Sequence, residues 1–178
     1  MGLPINKKVF IYTGSLYPDR EVENILLLAK QLPQHFFCIV GGPDKNKDYY
    51  VNLSSKMKLD NIKFTGHISH SLVPKYLKSA DVLLALWSNK VPTINYCSPL
   101  KIFEYMASGT TIVAHNFPTI QEVLQHKINA FLVRYGDMDD LVKQSEIALL
   151  ENSCGKLARE HAKKFTWDVR VKKIMDAI

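Results

Sequence analysis

Residues Ser98–Thr119 read SPLKIFEYMASGTTIVAHNFPT, and two elements are legible in them. Ser98 is a good N-cap residue, and Pro99 suits the first helical position, where no N–H is needed. The helix that follows carries Lys101 and Glu104 three residues apart on one face. Ser108-Gly109 ends it, and the β-rich stretch Thr111–Ala114 follows at once. Free amides inside such a helix start, with the positive end of the dipole, form an anion site. Lys101 adds a point charge there, and the Glu104 carboxylate, one turn further on, is placed to accept hydrogen bonds from hydroxyl groups. The ordinary alternative for the two side chains is a surface ion pair worth about 0.2–0.5 kcal/mol.

Working outward, the chain alternates short apolar runs with helical spacing. Strands are expected at Lys8–Thr13, Phe36–Val40, Ile62–Thr65, Val82–Trp87, Thr111–Ala114 and Ala130–Val133. Helices are expected at Glu21–Leu32, Tyr49–Lys58, Leu72–Ser79, about Thr119–Gln125 and from Asp137 onward, with one or two more in Cys154–Ile178. Repeated strand–helix units with apolar strands predict a parallel sheet covered on both faces. The fold class is therefore α/β, a Rossmann-like doubly wound sheet of about six strands with C-terminal helices. In such a sheet ligands bind beyond the carboxyl ends of the strands, where the strand order reverses. With the Rossmann order, the loop Gly14–Tyr17 and the loop Ser88–Cys97 flank that crevice, which brings Gly14, Ser15 and Glu104 together.

Composition bounds the remainder. The chain has 178 residues, enough for one domain with a real core, and no internal repeat or linker interrupts it. No apolar run approaches the roughly 20 residues of a membrane span. The start, MGLPINKKVF, lacks the order of a signal peptide. Cys38, Cys97 and Cys154 are odd in number and widely spaced, which fits a reduced, cytoplasmic protein. The formal charge is +6, and Lys156–Lys173 holds seven Lys or Arg against two acids. Such a terminal helix is either a solvated face, a contact with an acidic partner, or a peripheral contact with anionic lipid at the inner face of a membrane. Nucleic acid is not expected as a partner, because the aromatic residues are not interleaved with the basic ones.

The signature stretch, together with Gly14-Ser15-Leu16, Val40-Gly41-Gly42, Phe64-Thr65-Gly66-His67, Ala80-Asp81-Val82 and Phe165-Thr166-Trp167, resembles one known family. It is similar to the C-terminal, donor-binding domain of retaining GT-B glycosyltransferases of family 4, the group 1 type. The resemblance covers most of the chain, and it rests on the order and spacing of the segments together. It implies one half of a GT-B fold and a nucleoside diphosphate sugar, UDP- or GDP-linked, as donor substrate, with no prosthetic group and no metal.

Residue by residue, the resemblance implies that Gly14, Ser15 and Leu16 form the glycine loop beside the donor phosphates. Arg20 stands where the family usually has a lysine that reaches the diphosphate. Leu100 and Lys101 offer amides and a charge to the same group from the helix start at Ser98. Glu104 matches the second acid of E-x7-E and holds the ribose, and His67 follows the turn beside the base. Arg20 and Lys101 are thus the candidate catalytic residues.

There are departures from the pattern. The first acid of E-x7-E falls at Tyr96, and no Asp or Glu occurs between Asp81 and Glu104. Tyr96 or Asn95 is left to hydrogen-bond the transferred sugar. Ser15 also stands where many members carry an arginine.

Other motifs read more plainly. Asp137-Met138-Asp139 imitates a metal motif but sits at a helix start, where Asp137 is a natural cap. His67 and His70 have no third ligand near them in sequence, and His115 ends a strand aimed at the crevice. A GT-B enzyme has two α/β domains, and residues 1–178 supply one. The chain is expected to be the C-terminal half of a hexosyltransferase, inactive alone, whose acceptor saccharide or lipid-linked saccharide is held by a missing N-terminal domain. The helices from about residue 154 pack on this domain or on that one. The alternative is a natural subunit that docks on a partner carrying the acceptor site. The rival readings are a non-catalytic α/β module that binds a nucleotide or a partner, and a nucleotide-sugar epimerase-like domain.

Overall fold

The computed structural model describes residues 1–151 and 153–177. Six strands form one sheet: β1 Val9–Thr13, β2 Phe36–Val40, β3 Ile62–Gly66, β4 Val82–Ala85, β5 Thr111–His115 and β6 Phe131–Val133. Their order is β3-β2-β1-β4-β5-β6, and every pair is parallel. This is the Rossmann order, with the reversal between β1 and β4.

The helices are α1 Val22–Gln31, α2 Asp44–Lys56, α3 Val73–Lys78, α4 Leu100–Ser108, α5 Pro118–Gln121, α6 Met138–Leu150, α7 Ser153–Ala162 and α8 Trp167–Met175. None is long and apolar enough to cross a membrane, among the described residues.

Strand parity divides the core into two layers. Val9 and Ile11 of β1, Cys38 and Val40 of β2, and Leu83 and Ala85 of β4 face one side with α3, α4 and α5. Phe10 and Tyr12, Phe37 and Ile39, and Val82 and Leu84 face the other side with α1, α2 and α6. Apolar residues on both faces explain why the strands read as unbroken hydrophobic runs.

Several boundaries differ from the sequence reading, each for a physical reason. The helix expected from Tyr49 begins at Asp44, because its first turns are polar and exposed and carry no apolar period. The strand expected to reach Trp87 leaves the sheet after Ala85, although Leu86 and Trp87 stay buried. The helix expected to Gln125 closes at Gln121, where Val123 and Leu124 both turn back to the Ile120 carbonyl.

The terminal segment forms two helices joined by a short 3-10 turn, Lys163–Phe165. Its expected end at Ile178 lies outside the described residues. α7 packs on the body through Cys154, Gly155 and Ala158, whereas α8 buries no residue.

Candidate functional site

A cleft of about 540 Å³ opens at the carboxyl ends of β1, β2 and β3, beside the start of α4. Its floor is backbone. The β1 loop is tied to β2 by the Gly14 amide, which donates to the Val40 carbonyl at 2.9 Å, and by the Leu16 amide, which donates to Gly42 at 2.7 Å. Gly41 donates to Gly66 at 3.0 Å, and the Asn46 side chain donates to the Leu16 carbonyl at 2.8 Å. The two loops approach so closely that a Cβ on Gly41 would fall 1.8 Å from the Gly14 oxygen. Both glycines have a positive φ, of 141° and 137°, which a side chain would resist. Any ligand here therefore meets bare peptide groups on one wall.

The opposite wall is α4. Its N-cap is Pro99 rather than Ser98, so the expected side-chain cap is absent and the helix starts one residue later. Proline offers no acceptor side chain, and the amides of Leu100 and Lys101 meet no acceptor among the described residues. They remain available to an anion. Buried Tyr105 fixes this helix to the switch point. Its hydroxyl accepts from the Thr13 amide at 2.8 Å and from Thr13 Oγ1 at 3.1 Å, and donates toward the Leu84 carbonyl at 3.5 Å. One side chain thus joins the ends of β1 and β4.

The charges of the cleft converge from three elements. Lys101 Nζ sits 3.8 Å from the Tyr12 ring centroid and 5.2 Å from that of Trp87. Burial, then the like charge of Arg20, pushes this amine down to about 7, against the opposing pull of Glu104. The Glu104 carboxylate is half-exposed at the rim, with Oε1 3.9 Å from His70 Nε2. Arg20, in the 3-10 turn Pro18–Arg20, does not line the cleft, yet its charge also lowers the tyrosine range of Tyr12 against the larger upward push of burial. The Arg20 Nε is buried without a hydrogen-bond acceptor, and Asp19 Oδ1 stands 3.8 Å away.

Of the residues singled out in the sequence, Gly14, Ser15, His67, Lys101 and Glu104 line one cavity. Leu16 does not. Its side chain is wholly buried and its amide is engaged by Gly42, so it anchors the loop rather than offering a donor to ligand. Tyr96 and Ser98 lie outside the cleft, and Tyr96 is 75% exposed. The Leu100 side chain points to solvent, which leaves only its amide for the site.

His115 is buried rather than aimed at ligand. Its Nδ1 lies 2.7 Å from the Trp87 carbonyl, and burial pushes the imidazole down to about 4. Asp137 caps α6 as expected, accepting from the Asp140 amide at 2.9 Å.

The sequence reading missed Tyr12, Trp87 and Tyr105 as parts of the site. An aromatic residue just before the Gly14 turn was the available signal for Tyr12. Nothing local marks the other two. His70, considered only as a metal ligand, lines the cleft opposite Glu104.

Residues 2–166 match the family model described as glycosyl transferases group 1. The chain belongs to that family. It is 26% identical over 183 aligned residues to the D-inositol 3-phosphate glycosyltransferase of Mycobacterium leprae, an alignment covering 94% of this chain and 40% of that protein.

Among solved structures it resembles the sucrose-phosphate synthase of Thermosynechococcus elongatus, with a TM-score of 0.83, 22% identity, and coverage of 98% of this chain and 45% of that one. It also resembles Anabaena HepE, solved in complex with UDP-glucose, with a TM-score of 0.77, 18% identity, and coverage of 97% and 50%. These two likenesses concern the fold. The chain spans about two fifths of the length of the curated relatives it matches.

Proposed function

We propose that this chain is the donor-binding domain of a retaining glycosyltransferase, which moves a hexose from a nucleoside diphosphate sugar to an acceptor hydroxyl in polysaccharide or glycoconjugate synthesis. The observation that carries the reading is the cleft itself. Bare glycine backbone at Gly14 and Gly41 lines one cavity with Lys101 and Glu104 of α4, whose first two amides are free. A diphosphate fits between the amides and the ammonium, and ribose hydroxyls fit the Glu104 carboxylate.

In the reaction the bond between the anomeric carbon and the diphosphate oxygen breaks, the acceptor hydroxyl oxygen bonds to that carbon on the same face of the sugar, and the hydroxyl proton passes to the departing diphosphate. Lys101, with the positive charge of Arg20 behind the cleft, stabilises the charge gathering on the departing nucleoside diphosphate. A second α/β domain would hold the acceptor saccharide or lipid-linked saccharide. The proposed setting is cytoplasmic, supported by three unpaired cysteines, with the basic terminal helices meeting the inner face of a membrane.

Calorimetric titration with UDP, GDP, ADP and CMP tests the reading. One nucleotide should bind saturably, and Glu104→Ala should weaken it by about tenfold or more, the loss expected for a carboxylate's hydrogen bonds to buried hydroxyls. Absence of binding by every nucleotide would remove the autonomous donor site.

A second reading, a nucleotide-binding module without transfer, is favoured by Tyr96, a neutral and exposed side chain where the family pattern has an acid. Product formation in the presence of an acceptor-holding domain separates the two.

A further inference from the structure

Lys101 is a cation placed without an anion. No carboxylate or other acceptor among the described residues lies within ion-pair or hydrogen-bond distance of its Nζ, which rests instead over two aromatic faces. The charged or titratable groups that face it are Tyr12 from β1, Arg20 from the turn before α1, and Glu104 from its own helix. His67 and His70 stand across the cleft. Arg20 opposes a positive charge, and Glu104 spends its carboxylate at the rim beside His70 rather than on the lysine.

Building on the donor-cleft reading, we infer that the donor's diphosphate enters this cleft together with a proton, which is bound at Lys101 Nζ. The empty site suits either form of the amine. The ring faces attract the ammonium, and their apolar bulk tolerates the neutral form. With burial and Arg20 holding this group near 7, a large fraction is uncharged in mild alkali. A diphosphate oxygen beside Nζ supplies the missing opposite charge and favours the protonated form. The proton comes from the buffer acid, whose bond to hydrogen breaks as one N–H bond forms at Lys101, and no bond of the nucleotide changes. Tyr12 and Trp87 act as positioning residues, because they hold the amine where the anion arrives.

The experiment is calorimetry of UDP and GDP at about pH 8.5, above the imidazole range, in Tris and in bicine, whose ionisation enthalpies differ. The bound nucleotide should take up close to one proton. Its Kd should then rise roughly tenfold per pH unit between about 8 and 9, the slope of a one-proton linkage. Lys101→Arg, whose guanidinium keeps its proton, should bind with no buffer dependence and a flat profile. Binding by the unaltered chain with equal heats in both buffers overturns the inference and leaves the donor reading standing. Uptake that persists in Lys101→Arg assigns the proton to another group and also overturns it. Failure of every nucleoside diphosphate to bind at any pH overturns the donor reading, and this inference with it.

Discussion

At Lys101 the needs of folding and of binding conflict. In the unfolded chain the amine keeps its ordinary value of 10.5, and in the folded chain it falls to about 7. Between those values the unfolded state binds more protons, so this group's contribution to stability rises with pH across the window. Its penalty is fully present below about 7 and is gone above 10.5. Lys101→Met keeps the length of the stem and removes the charge. It should raise the melting temperature at neutral pH, and the gain should fade toward pH 10; calorimetric melting at both pH values checks the sign. The same variant should lose about tenfold or more in nucleotide affinity, the equivalent of one charge-assisted hydrogen bond of ~1.4 kcal/mol. A side chain that destabilises the empty protein and strengthens binding is the signature of a functional group rather than a packing one.

At the scale of elements, α4 matters because Tyr105 joins its middle to the ends of β1 and β4. Tyr105→Phe would leave the buried Thr13 amide without its 2.8 Å acceptor. The cost should be about 1–3 kcal/mol, read by urea unfolding, since an orphaned buried donor loses its full solvation. Nucleotide affinity should fall as well, because the tie sets the start of α4 against the Gly14 loop.

This tie also shows what the sequence could and could not disclose. The strands were legible because a sheet buried on both faces demands unbroken apolar runs, and β2 matched its expected limits at both ends. The alternation implied a doubly wound sheet but not the order of its strands, which is set by pairings between segments far apart in the chain. Gly14, Lys101 and Glu104 were legible because turns and helix starts announce themselves locally. Tyr105, Trp87 and the start of α2 were not. Two are aromatic residues inside apolar runs, which look like core until the strands are placed, and the third is the polar segment DKNKD, which has no period to read. Ser98 misled by one position, since a serine before a proline resembles a cap whether or not the chain uses it.

At the scale of the whole molecule, seven helices among the described residues pack on the sheet, whereas α8 buries no residue. Trp167, Val171, Ile174 and Met175 line one stripe of that helix, and all four are exposed. Phe165, just before it, still packs against Phe103 with ring centroids 5.3 Å apart, so the body's last anchor precedes α8. Ending the chain after Thr166 should therefore remove no buried contact. The melting temperature should move by less than about 3 °C, the range for changes under ~1 kcal/mol in a protein of this size. Ending it after Glu151 removes Cys154 and Ala158 from the core layers and should abolish cooperative melting. Nucleotide affinity should survive the first truncation unchanged, because no α8 residue lines the cleft. A large loss of stability on removing α8 would mean that its apolar stripe folds back on the body in solution. A small one would mean that the stripe is free to be covered by something outside these residues.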